Sequence, residues 1–274
     1  MPSDSEILQR IRRALDEAIG VLSQFVSGRV KADRKPHDRS LVTEADRAVN
    51  RMLRQCLLRD HEGWLSEEST DDFERLQKQC VWVVDPLDGT REFVAGIPEW
   101  SVSIAMVEDG RAIAGGVCNP ATGESFLGSR ETGVIYNGKQ AHVSQKDSLE
   151  GAMVLASRSE VRRGEWARFQ QSSFVIHPMG SVAYKLARVA AGLADATWTL
   201  SSKNEWDIAA GVALVEAAGG YVQFLPNSRP MFNKKTTLLP GLFACGPHLR
   251  DQIASLLAHS VQAPGPGIAP IAHP

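Results

Sequence analysis

A short apolar run, Val81-Trp82-Val83-Val84, leads straight into Asp85-Pro86-Leu87-Asp88-Gly89-Thr90, and no other feature restricts this chain as much. Such a run reads as a strand buried on both faces. A carboxylate at its end would suffer a desolvation cost of several kcal/mol unless a positive group met it. Pro86 disfavours helical geometry at Asp85 and Gly89 permits a tight turn, so Asp85, the Leu87 carbonyl and Asp88 can converge on one side of that turn. Hard oxygen donors this close together suit Mg²⁺ or Mn²⁺ better than zinc. The spacing is not that of an EF-hand, and neither a P-loop nor the dinucleotide-binding glycine pattern is present.

The rest of the chain sets the frame for this turn. With 274 residues, 30 Lys plus Arg against 32 Asp plus Glu and 43% hydrophobic residues, the composition is that of an ordinary globular protein. The charge balance leaves no footprint for a nucleic-acid polymer. No run of 18 apolar residues and no early leader pattern appears, so the sequence predicts no membrane association and a cytoplasmic location. Cys56, Cys80, Cys118 and Cys245 stand apart from one another and read as buried thiols rather than zinc ligands.

Ser3 and Glu6 at capping-box spacing, followed by apolar residues from Ile7 to Val26 at helical intervals, predict a first helix. A second is predicted from Thr43, with Asp46 in its first turn. Residues 28–42 between them are polar and basic and read as a mobile loop. Residues 101–128 read as a β-meander turning at Asp109-Gly110. A strand near Met153–Ala156 and helices near Glu160–Gln170, Ser181–Ala191, Asp207–Ala218 and His248–Ala258 follow. The Pro- and Gly-rich residues 262–274 read as a disordered tail. This mixed order with hairpins predicts an α+β fold or layered sandwich rather than a doubly wound sheet.

Four blocks in this order, Thr43 to Asp46, Glu67-Glu68-Ser69, Asp85 to Thr90, and Trp206-Asp207-Ile208-Ala209-Ala210-Gly211, resemble the inositol monophosphatase superfamily of magnesium-dependent, lithium-sensitive phosphomonoesterases. The resemblance spans roughly residues 7–258. It implies a layered αβαβα sandwich of the inositol monophosphatase / fructose-1,6-bisphosphatase type. One phosphatase unit would occupy residues 1–261, with most metal ligands in about 1–145 and Asp207 and substrate contacts in about 146–261. It further implies that Glu67, Asp85 and the Leu87 carbonyl hold one Mg²⁺, and that Asp85, Asp88 and Asp207 hold a second. A third, mostly hydrated ion would lean on Glu67. Thr90, helped by Glu67 and Asp46, would orient and deprotonate the attacking water. The N–H groups of Gly89 and Thr90, opening a helix, would face the phosphate. A homodimer is a further implication of the resemblance, the family being often dimeric. Plainer roles stand beside these: Asp46 as a helix first-turn acid, Thr90 and Asp207 as helix caps, and Glu68 as a solvated neighbour.

The flanks bear on the substrate, which is expected to be a small phosphorylated metabolite. Asp-Gly-Thr-Arg-Glu-Phe at 88–93 is similar to the form found in bacterial 3'(2'),5'-bisphosphate nucleotidases. Leu200 stands where animal inositol monophosphatases place a sugar-binding glutamate. The expected reaction is therefore hydrolysis of 3'-phosphoadenosine 5'-phosphate to AMP and phosphate. Inositol-1-monophosphatase is the alternative, then histidinol-phosphate or fructose-1,6-bisphosphate phosphatase. Ser181 and Lys185 resemble the nucleotidases' Gly-Ser-x-x-Lys stretch with one extra residue, while Glu160 replaces their histidine. Arg91, Arg158, Lys185 and Lys203 are candidate partners for a second phosphate. A metal-binding scaffold without catalysis is the reading from another class.

Overall fold

The Ser3 hydroxyl accepts the Glu6 N–H at 3.3 Å and starts helix α1, Asp4–Leu22, which buries Ile7, Ile11, Ala14, Leu15, Ala18 and Leu22 along one stripe. The structure, a computed structural model, describes residues 2–35 and 40–262, the side chains of the last four excepted. The helix stops one turn short of the expected stripe, and Val26 is exposed. Two short antiparallel strands, Ala32–Arg34 and Leu41–Thr43, replace the expected loop, with Asp33 opposite Val42. Pairing with the strand that feeds helix α2, Glu44–Leu57, orders Ala32–Arg34 despite their polar composition, while residues 36–39 of the expected loop lie outside the described residues.

The strand at the centre of the sequence argument, Cys80–Asp88, belongs to a seven-stranded sheet. Its order is Gly63–Ser66, Cys80–Asp88, Ser101–Glu108, Arg111–Asn119, Glu124–Ser129, Gly133–Tyr136 and Lys139–Ala141. The first pair is parallel and the others antiparallel. Alternation assigns its faces: Cys80, Trp82 and Val84 pack under α1 and α2, whereas Val81 and Val83 face the other way. There they meet helices α5, Val182–Ala190, and α6, Glu205–Ala217, reached through the short helices α3, Thr90–Ala95, and α4, Arg158–Arg162. A five-stranded sheet lies beyond, ordered Val175–Met179, Met153–Ser157, Ala196–Thr199, Leu242–Cys245, Tyr221–Phe224. Its far face is covered by an aromatic cluster and helix α7, Arg250–Gln262. The layers run α, β, α, β, α.

Helix α6 presses against the first sheet so closely that a Cβ at Gly115 would come within 2.5 Å of the Ala210 carbonyl oxygen. The expected helix over Glu160–Gln170 breaks into α4 and a 3-10 turn at Ala167–Phe169. Gly164 turns with φ +79°, which frees Trp166 to stack on Trp198 with ring centroids 5.0 Å apart. The helix expected from Asp207 begins two residues earlier. Of the expected tail, residues 262–274, Gln262 instead ends α7 and residues 263–274 lie outside the described residues; no helix among those described is long and apolar enough to cross a membrane.

Candidate active site

The acidic turn is built by a bulge. Asp85 pairs with Ser103 and Asp88 with Ser101, so two residues oppose one and the strand bends where its carboxylates emerge. Leu87 N–H donates to Asp85 Oδ1 at 3.0 Å, while Asp85 Oδ2 is buried without a hydrogen-bond partner. Gly89 follows at φ +95°, and a Cβ there would approach the Glu99 carbonyl oxygen to 2.9 Å. The chain then enters α3, where Thr90 Oγ1 lies 3.1 Å from both Asp46 Oδ1 and the Leu87 carbonyl. Asp46 is itself fixed: its Oδ2 accepts the Thr43 N–H at 2.8 Å and the Thr43 hydroxyl at 2.5 Å.

Two other chain segments supply the remaining acids. Glu67 follows the strand parallel to Cys80–Asp88. Asp207 is the third residue of α6, where its Oδ2 accepts the Asn204 N–H at 2.9 Å, so it helps start the helix and faces the cleft at once. Carboxylate oxygens of Glu67, Asp85 and Asp207 lie within 4.8 Å of one another. Asp88 stands beside this trio rather than in it; its Oδ2 accepts the Ser181 hydroxyl at 2.7 Å and the Ala183 N–H at 2.8 Å.

Burial, then the charges of Glu67, Asp88 and Asp207, hold the Asp85 carboxyl well above the usual carboxylate range. Asp207 is raised for the same reasons, burial first and then Asp88 and Glu67. Burial likewise raises Glu67 and Asp46, and lifts Glu68 to about 7. A cluster that resists its own ionisation is a site shaped for a cation. Hard oxygen donors and the orphaned buried Asp85 Oδ2 fit a divalent ion of the magnesium type. Lys35, nearly buried, bridges Glu67 at 2.7 Å and Glu68 at 2.6 Å. Burial opposes its charge, yet the two glutamates leave its pKa raised.

The acids open into a cleft of about 290 Å³, lined also by Arg91, Arg158, Ser181, Lys185 and Lys203. Most of its cations are already engaged. Arg158 makes a bidentate pair with Glu99 at 2.6 Å. Lys203 meets Glu160 at 3.2 Å, and Glu160 is buried, also accepting the Trp166 indole N–H at 3.1 Å and the Thr199 hydroxyl. Lys185 is buried, its Nζ 2.9 Å from the Ser181 carbonyl, and burial pushes its pKa down to about 8. Arg91 is exposed at the rim. Lys35 and Glu99 escaped sequence reading: Lys35 is one cation among several in a polar stretch, and Glu99 acts on Arg158, 59 residues away.

Layered fold, acidic cluster and cleft together define a metal-dependent phosphoric monoester hydrolase. The model of the inositol monophosphatase family matches residues 4–263, and the chain belongs to that family. It is 32% identical over 254 residues to the fructose-1,6-bisphosphatase/inositol-1-monophosphatase of Thermotoga maritima, covering 90% of this chain and 94% of that protein. It is 31% identical over 234 residues to the inositol-1-monophosphatase of Rhizobium meliloti, covering 82% and 84%. Among solved structures it resembles a Thermotoga maritima IMPase with a TM-score of 0.79 and 27% identity, over 95% of this chain and 99% of that one.

Proposed function

We propose that Glu67, Asp85, the Leu87 carbonyl, Asp88 and Asp207 hold two Mg²⁺ ions, which Mn²⁺ could replace, for hydrolysis of a small phosphate monoester. The observation that carries this reading is the buried, unpartnered Asp85 Oδ2 beside Glu67 and Asp207. When bound, such ions neutralise the carboxylate ring, lower the pKa of water and balance the charge of the phosphoryl oxygens. Thr90 Oγ1 has one proton; given to Asp46 Oδ1, it leaves the hydroxyl's lone pairs to receive a hydrogen bond from the attacking water. The Asp46 carboxyl, raised by burial and held by Thr43, is suited to take that proton up. Gly89, the N-cap of α3, and Thr90, its first residue, line the cleft, where their N–H groups would suit phosphoryl oxygens.

For the ester itself we favour a polyol monophosphate such as inositol 1-phosphate. A second phosphate would need a cation, and Arg158, Lys203 and Lys185 are all committed within the protein. The name of the related Rhizobium meliloti protein, inositol-1-monophosphatase, supports this preference, and that of the Thermotoga maritima protein carries the same activity beside fructose-1,6-bisphosphatase. Exposed Arg91, within the nucleotidase-like segment 88–93, favours 3'-phosphoadenosine 5'-phosphate as the second reading. Rates on inositol 1-phosphate, 3'-phosphoadenosine 5'-phosphate, histidinol phosphate and fructose 1,6-bisphosphate at millimolar Mg²⁺ decide between them. The highest kcat/KM is expected on inositol 1-phosphate. A preference for the nucleotide would select the second reading, and no hydrolysis of any would leave a metal-binding scaffold.

A further inference from the structure

Lys185 is the one buried cation of the cleft wall that meets no carboxylate within ion-pair distance among the described residues. It is 3% exposed. Its ammonium instead donates to three consecutive carbonyls, Ser181 at 2.9 Å and Met179 and Gly180 at 3.4 Å each. Three acceptors match the three protons of an ammonium, which leaves Lys185 none to offer a ligand. Those carbonyls form the crossover from the strand Val175–Met179 into α5. At its end Ser181 adopts φ +49°, an angle that non-glycine residues keep only when their surroundings enforce it.

What this angle achieves is visible at Asp88. The Ser181 hydroxyl gives its single proton to Asp88 Oδ2 and accepts from Tyr184 N–H at 3.0 Å and Ser101 Oγ at 3.0 Å. Ala183 N–H adds a second bond to Asp88 Oδ2. Both bonds hold that oxygen in place and leave Oδ1 free to serve the cleft. The chain of support runs from the Lys185 ammonium through the 179–181 carbonyls to Ser181 and Ala183, and from them to Asp88.

We propose that Lys185 is a positioning residue that holds the 179–181 crossover, and through Ser181 and Ala183 the Asp88 carboxylate, rather than a group that grips substrate phosphate. This inference rests on the reading of Asp88 as a metal ligand.

Two measurements on the full chain test it. In the metal-free protein, K185M should speed amide exchange at Ala183 and Tyr184 at least tenfold while leaving the Ala187–Ala190 amides unchanged. By calorimetric titration with Mg²⁺, K185M and S181A should each bind at least tenfold more weakly than the wild type. The double variant should be no worse than the weaker single one, because both act along one route. K185Q, which keeps an N–H donor, should fall between K185M and the wild type and serves if K185M does not fold. Unchanged exchange and Mg²⁺ affinity in K185M or K185Q, with a raised KM for the ester, would overturn the inference and make Lys185 a substrate contact. A wild type that takes up no Mg²⁺ would overturn the metal reading itself, so the two failures are told apart.

Discussion

Asp85, Asp88 and Asp207 each commit one carboxylate oxygen to a backbone N–H, at Leu87, Ala183 and Asn204, at 3.0, 2.8 and 2.9 Å. The other oxygen is left for whatever enters the cleft, so the proposed ligand set would be oriented before any ion arrives. Thr90 is fixed as a donor, its hydroxyl 3.1 Å from Asp46 Oδ1 and from the Leu87 carbonyl, and its role admits a clean test. Thr90→Ala is expected to lower kcat by ~10²–10⁴-fold with Mg²⁺ affinity near wild type, while Thr90→Ser keeps most of the rate, as steady-state kinetics and calorimetry would show. Asp85→Asn separates stability from function. At pH 8, where ionisation of the acids opposes the metal-free fold, removing this buried carboxylate should raise the melting temperature of the metal-free protein by ~2–4 °C, on the order of 1 kcal/mol, and abolish both Mg²⁺ binding and turnover. A scanning calorimetry trace in which this variant melts earlier than the wild type would refute the claim that Asp85 is held at a cost. The acids were legible because each sits in a short motif whose chemistry is local. Lys35 was not, since its partners Glu67 and Glu68 lie more than thirty residues on and only the fold brings them together.

At the level of elements, α6 matters most, because it carries Asp207 at its start and lies against the strand Arg111–Asn119. Gly115→Ala would drive a Cβ into the Ala210 carbonyl, a backbone atom that yields only if the helix moves. The expected result is a loss of ~1–3 kcal/mol in denaturant unfolding, with weaker Mg²⁺ binding as Asp207 shifts with its helix. Where local signals were strong, the sequence anticipated the elements. Ser3 with Glu6 and Thr43 with Asp46 marked α1 and α2, and Asp109-Gly110 marked the hairpin turn. Where tertiary packing decided, it did not: Ala32–Arg34 and Leu41–Thr43 became strands by pairing, and the stretch 160–170 lost its single helix so that Trp166 and Phe169 could join Trp198.

For the whole molecule the site behaves as a store of electrostatic tension. Glu67, Asp85 and Asp207 titrate above their unfolded values of ~4, so they support the metal-free fold while protonated and oppose it as pH rises through their raised pKa values. Glu68, near 7, extends that window toward neutrality. Metal-free protein should therefore melt at progressively lower temperature between about pH 5 and 8, measured by circular dichroism. Added Mg²⁺ should raise the melting temperature more at pH 8 than at pH 5.5, because a bound ion favours the ionised acids and stabilises by mass action. An equal shift at both pH values would mean that the acids do not hold the ion. The layered architecture follows from the alternation in Cys80–Val84, which sends Trp82 to one helical layer and Val83 to the other.

Anomalous diffraction from a crystal soaked in Mn²⁺ tests the central claim most directly. The account predicts manganese peaks between Asp85, Asp88, Asp207 and Glu67, with Asp85 Oδ2 among the ligands. Density free of any peak there, at a concentration that supports phosphate release in solution, would contradict it.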